Sequence, residues 1–168
     1  MKKENKKSGV ITLPSLYLAE KENTSHYIIE QSVLSLFEIV KNFRREEDQM
    51  LIRDGRYERR SISVSAPRQS GNTHALIELI RNNPQETWMI IGYNRHATIN
   101  LMHRIEARLG SPYEVYSIET IMHNSFRINP LSYSAVVVDC ASYLSEEKIN
   151  RIYEIFGGNP RILFAFIG

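Results

Sequence analysis

The residues best equipped for chemistry lie in one run, Ser63-Val64-Ser65-Ala66-Pro67-Arg68-Gln69-Ser70-Gly71-Asn72-Thr73-His74. A β-prone stretch containing Ile62 and Val64 leads into it, and a helix-like segment from His74 to Arg81 follows. Strand, glycine loop, helix is the order a phosphate-cradling loop requires. In such a loop backbone N–H groups surround the phosphates, a lysine ammonium reaches the outer oxygens, and a Ser or Thr hydroxyl holds Mg²⁺. Thr73 keeps the hydroxyl, but Asn72 stands where the lysine belongs and Ala66 replaces the first glycine. A neutral amide cannot supply the missing charge. Lysine is confined to the two ends of the chain, with none between Lys41 and Lys148, so Arg68 is the nearest cation in sequence. Its guanidinium can grip two phosphate oxygens at once, though it is bulkier and reaches differently. The plainer alternative for Arg68 is a surface arginine or an internal ion pair.

A second constellation closes the run Val136-Val137-Val138-Asp139-Cys140-Ala141-Ser142. An acid at the end of an apolar strand is the group that loop proteins use, with the loop hydroxyl, to hold Mg²⁺. Thr73 and Asp139 therefore form a candidate metal pair, with simple capping of neighbouring elements as the alternative. Cys140 has no histidine in a recognisable nucleophilic arrangement, and a packed thiol is the expected role. The five histidines show no paired metal spacing; His96 and His103 share a helix face but stand too far apart for one ion.

Arginines supply two further candidates. Arg53, Arg56, Arg59 and Arg60, interleaved with Tyr57, have the makings of a phosphate-backbone patch with a stacking aromatic. Asp54 and Glu58 dilute that charge, and a solvated face is the simpler reading. Arg95, Arg104 and Arg108, on the polar side of one predicted helix, form the second cluster.

Hydrophobic periodicity names the elements that must position these groups. Ile29, Val33, Leu36, Phe37, Val40 and Phe43 recur at helical spacing across residues 26–43. The charged stretch that follows carries an Asp54-Gly55 turn signal after Met50-Leu51-Ile52, consistent with a short strand or hairpin. Asn82-Asn83-Pro84 breaks the loop helix, and Thr87 to Gly92 reads as a strand buried on both faces. Asn94 can cap a helix with the stripe Ala97, Leu101, Ile105 and Leu109, stopped by Gly110 and Pro112. Tyr113 to Tyr116 reads as a strand, and residues 117–130 have room for a short helix. Ala135 to Asp139 is a buried strand. Ser145 caps a helix with Ile149, Ile152 and Phe156 on its apolar side, and Ile162 to Ile167 is a last apolar strand. Alternating strands and helices with short connections predict an α/β fold with a mostly parallel sheet and helices on both faces.

With 168 residues, a net charge of +2 and a single cysteine, the chain is expected to be one soluble domain of a reducing compartment, the cytoplasm. No disulfide framework is possible. The basic start, Met1 to Lys7, is followed by an apolar stretch broken at Pro14, too short for a signal peptide or membrane span. Residues 1–25 read as a basic flexible tail and 26–168 as the domain.

Pro67-Arg68-Gln69-Ser70-Gly71-Asn72-Thr73 and Val137-Val138-Asp139-Cys140-Ala141-Ser142 resemble the loop P-R-Q-S-G-K-T and the second motif V-V-D-E-A-S of the ATPase core shared by viral large-terminase motors and helicases. The resemblance runs from about Arg60 to Gly168, where Leu163 to Gly168 looks like the strand leading into the third motif. It implies a three-layer P-loop NTPase fold with that last strand lying centrally. It also implies ATP and Mg²⁺ as ligands, contacts from Arg68, Gln69, Ser70, Gly71, Asn72 and Thr73 to nucleotide, and Gln31 as a base-reading glutamine. The resemblance also puts the helix containing Arg95 and Arg104 where these families have a nucleic-acid-contacting or coupling segment. The departures are as specific as the matches: Asn72 replaces the lysine, and Cys140 replaces the glutamate that positions water. Since charge stabilisation carries most of phosphoryl-transfer catalysis, the expectation is an impaired domain that binds nucleic acid or a motor or packaging partner, in host cytoplasm if viral. One alternative is a divergent working ATPase, with Arg68 for the lysine and Glu146 or Glu147 for the acid. Another is a protein-interaction module that binds no nucleotide.

Overall fold

Runs of Val, Ile and Phe cannot satisfy their backbone groups in a buried layer except by pairing with other strands. In the computed structural model, which describes residues 11–12, 22–47, 60–66, 71–106 and 113–168, they pair in a single six-stranded sheet. The strands are β1 (Ile11–Thr12), β2 (Ser61–Ser65), β3 (Trp88–Gly92), β4 (Tyr113–Ser117), β5 (Ala135–Asp139) and β6 (Leu163–Ile167). Every pairing is parallel, in the order β1-β2-β6-β5-β3-β4. The last strand thus lies between the strand that enters the loop and the strand that ends in Asp139.

Parallel neighbours need crossovers, and these are helical. The helices are α1 (Glu22–Glu47), α2 (Asn72–Asn82), α3 (Arg95–Glu106), α4 (Ile118–Asn124) and α5 (Glu146–Phe156). The period of two along each strand divides the core into two layers. Trp88, Ile90, Val137 and Ala165 join Val33 and Phe37 of α1, Leu76 and Leu79 of α2, and Leu101 and Ile105 of α3. Met89, Ile91, Val136, Phe164 and Phe166 join Ile118 and Ile121 of α4 and Ile152 and Phe156 of α5 on the other face. The result is a three-layer α/β fold.

The predicted caps do their work. Asn94 Oδ1 accepts the Ala97 N–H at 2.8 Å at the start of α3, and the Ser145 hydroxyl accepts from Lys148 at the start of α5. Residues 117–130 resolve into α4, capped by Ser117, and two 3-10 turns. On the edge strand β4, Glu114 accepts the phenols of both Tyr116 and Tyr133, tying the edge to the segment before β5. Burial, and then the Glu114 carboxylate, hold the Tyr133 phenol above its ordinary range.

Two expectations are corrected. Ile11 and Thr12, assigned to a flexible tail, form β1 in register with Val64 and Ser65, and α1 already starts at Glu22. A two-residue strand has no periodicity to detect; it forms because β2 offers an open edge. Arg60, expected in a surface patch, is only 4% exposed. Its guanidinium donates to the carbonyls of Asn159 at 2.8 Å, Ile162 at 3.3 Å and Gly157 at 3.5 Å, gathering the turn between α5 and β6. Arg56, Arg59, the 50–55 hairpin and the Leu109-Gly110 helix stop lie outside the described residues.

Because hydrogen bonds from a charged donor contribute about 1.5–3 kcal/mol and carbonyls left without partners add a penalty, Arg60→Ala is expected to lower unfolding free energy by about 2–4 kcal/mol in urea titration.

Candidate functional site

At the end of β2 the chain enters the loop, and Gly71 is its last described residue before α2. Gly71 sits at φ 93, and a Cβ there would lie 2.9 Å from the His26 ring. Only glycine fits a left-handed corner with a neighbour that close. Asn72 follows as the first residue of α2; its amide donates to Ala66 O at 3.4 Å, bridging the two ends of the loop, while its Oδ1 is buried without a hydrogen-bond partner. Thr73 comes next, and its hydroxyl donates to Asp139 Oδ1 at 3.3 Å. Two residues singled out 66 positions apart meet across the sheet.

Asp139 ends β5 and is 4% exposed. Burial pushes its carboxyl above the ordinary carboxylate range; the hydrogen bond from Thr73, those from the Cys140 thiol and backbone, and the charge of Arg104 pull it partly back. Cys140 turns the chain sharply with a left-handed φ of 57, a conformation that costs a non-glycine residue about 1–2 kcal/mol. The packed thiol expected there is instead half-buried and faces the same cavity. Gly168 joins the floor, accepting from Ala66 N at 2.8 Å and donating to Val64 O at 2.9 Å.

These groups enclose a cavity of about 350 Å³. Gly71, Asn72, Thr73 and Cys140 line it, and so do three side chains that the sequence did not mark for it: His26 at the start of α1, Tyr143 after β5, and Arg104 of α3. Tyr143 is exposed and packs against Tyr93 with ring centroids 5.2 Å apart. No local pattern flags these side chains, because only the order of strands brings α1, α3 and the turn after β5 to one end of the sheet. Arg104, expected on nucleic acid, lines this cavity. Arg95 is exposed at the start of α3 and does not line the cavity. Gln31 also lies elsewhere, along an apolar groove with Tyr27, Ser35, Leu36 and Val64. Arg68, Gln69 and Ser70, and with them the path of the loop itself, lie outside the described residues.

Among the described residues no lysine lines the cavity. Lys41 is buried at the opposite end of α2, where its Nζ donates to Asn83 Oδ1 at 2.8 Å and Glu38 at 3.0 Å. Among the described residues no group of three or more His, Cys, Asp or Glu converges on a metal position. Thr73 and Asp139 are nonetheless a hard-oxygen pair, suited to Mg²⁺ with waters and phosphate oxygens completing its shell. No described helix is long and apolar enough to cross a membrane. Comparison with protein-family models, curated proteins and solved structures finds no match to this chain.

The raised Asp139 carboxyl has a definite sign. The unfolded chain loses this proton near pH ~4 and the folded protein only at a higher pH. Its contribution to stability is therefore complete below the unfolded value and lost as pH rises through the folded one. Asp139→Asn keeps an acceptor for Thr73 but cannot ionise, so the variant is expected to melt above the wild type at pH 7. Melting curves taken at successive pH values should show that gap closing below pH ~4.

Proposed function

We propose that this chain is a catalytically impaired phosphate-loop domain that binds a nucleotide and acts through that binding on nucleic acid or on a motor or packaging partner. The observation that carries the reading is the Thr73–Asp139 hydrogen bond at the N-terminus of α2. A loop hydroxyl beside a strand-end carboxylate, with helix N–H groups facing the same space, suits a phosphate chain and its Mg²⁺. The central place of β6 between the loop strand and the acid strand supports it, as that is the position the resemblance to terminase and helicase cores implies.

Impairment follows from the two replaced positions. Asn72 bridges to Ala66 O and brings no charge, and a thiol at Cys140 cannot serve as the carboxylate that orients water. When bound, Mg²⁺ would supply positive charge against the phosphate oxygens; Thr73 and Asp139 would hold it. Glu146 and Glu147, the acids a divergent ATPase would need, are exposed in the first turn of α5 and do not line the cavity.

A second reading, a protein-interaction module without nucleotide, is favoured by Phe126 and Leu131, 77% and 75% exposed on neighbouring 3-10 turns. One set of titrations separates the readings. Calorimetry with ATP is expected to show Mg²⁺-dependent binding that Thr73→Ala weakens about tenfold, the loss of one charge-assisted contact. Asn72→Lys with Cys140→Glu should tighten it by a similar factor. A flat ATP titration favours the interaction module. Mg²⁺-dependent turnover abolished by Thr73→Ala and Asp139→Ala would overturn impairment. Nucleic-acid binding, if it is the output, should weaken steeply between low and moderate salt.

A further inference from the structure

The cavity has lost its loop ammonium, yet a permanent positive charge faces it. Arg104 reaches it from α3, an element neither in the loop nor adjacent to it in sequence. The sheet explains how. Gly92, at the end of β3, is the register partner of Asp139, and a Cβ on it would lie 2.3 Å from Thr98 Oγ1 and 3.0 Å from Thr98 Cα. The missing side chain lets α3 press against the strand end beside the acid. Leu101 and Ile105, both buried, then anchor the helix in the core and leave Arg104 between them on the cavity side.

The surroundings of Arg104 leave its guanidinium available. No described carboxylate forms a salt bridge with it. The titratable groups lining the cavity with Arg104 are Cys140, Tyr143, His26 and His74, the last of these 3.4 Å from Glu30; Asp139, whose carboxyl feels the Arg104 charge, lies buried behind Thr73. A phosphate chain entering beside Thr73 comes near the buried carboxylate that Thr73 bonds, and a planar guanidinium can both offset that charge and pair two phosphate oxygens.

We propose that Arg104 supplies from α3 the positive charge that Asn72 removes from the loop, so that the cavity takes the diphosphate part of a nucleotide with an arginine clamp. This rests on the nucleotide reading above and assigns the contact that makes it work without lysine.

The test is calorimetric titration of the full chain with ATP, with inorganic pyrophosphate and with a short single-stranded DNA. Arg104→Ala is expected to weaken ATP and pyrophosphate alike by about tenfold or more, with the fold kept and only a small drop in melting temperature at pH 7, because the side chain is exposed and its charge favours the Asp139 carboxylate. Arg104→Lys should recover only part of the loss, since an ammonium cannot pair two oxygens in a fixed fork. Arg95→Ala, on the same helix but off the cavity, should change neither affinity. Adding Asn72→Lys to Arg104→Ala should restore binding from the loop side, a rescue that a merely structural role would not produce. Equal ATP affinity in Arg104→Ala and wild type would overturn the clamp and leave the nucleotide reading standing. Absence of any ATP or pyrophosphate binding by the wild type would overturn both. Weakening of ATP alone would overturn the diphosphate assignment, and weakening of DNA alone would return Arg104 to nucleic acid.

Discussion

β6 is buried along its whole length and hydrogen-bonded on both sides, to β2 through Phe164–Ile167 and to β5 through Leu163–Ile167. In an interior that excludes water, those backbone groups have no other partners of comparable strength. The strand therefore fixes the separation and the relative height of the two strands that flank it. The loop leaves from the end of β2 and Asp139 ends β5, so the meeting of Thr73 with Asp139 is set by the register of a strand that carries neither residue. Gly168 extends the same control past the strand, bonding to Val64 and Ala66 where the loop begins.

Around that frame the site balances charge against burial. Asp139 is kept from water by the core on both faces of β5, which works against its ionisation, while Thr73, Cys140 and Arg104 favour the carboxylate. A buried acid held between these opposing effects stores unfavourable free energy in the folded state, a pattern common where a group is retained for binding rather than for stability. The left-handed Cys140 places a further local cost at the same end of the sheet.

How much of this was legible depends on whether the signal was local. The strands at 88–92, 135–139 and 163–167 are unbroken apolar runs, and the helices of Asn94 and Ser145 announce themselves by cap and stripe. Thr73 and Asp139 were marked by the motifs around them. Arg60 was misplaced because an arginine in a charged stretch looks solvent-facing until its neighbours in space are known, while the exposed Arg104 gave no sign of the cavity it lines. Arg60 found three carbonyls near 160, and Arg104 found the cavity. β1 escaped notice because its two residues have no pattern of their own.

The sequence by itself determined the class of fold, the main succession of strands and helices, and the residue types at positions 72 and 140, since side-chain type and hydrophobic period are properties of the chain alone. Only the tertiary structure decided which residues share a cavity. Strand order is settled by long-range pairing, in which β6 inserts between strands that precede it in the chain. His26, Arg104 and Tyr143 came to one cavity through that pairing, and no spacing along the chain encodes it.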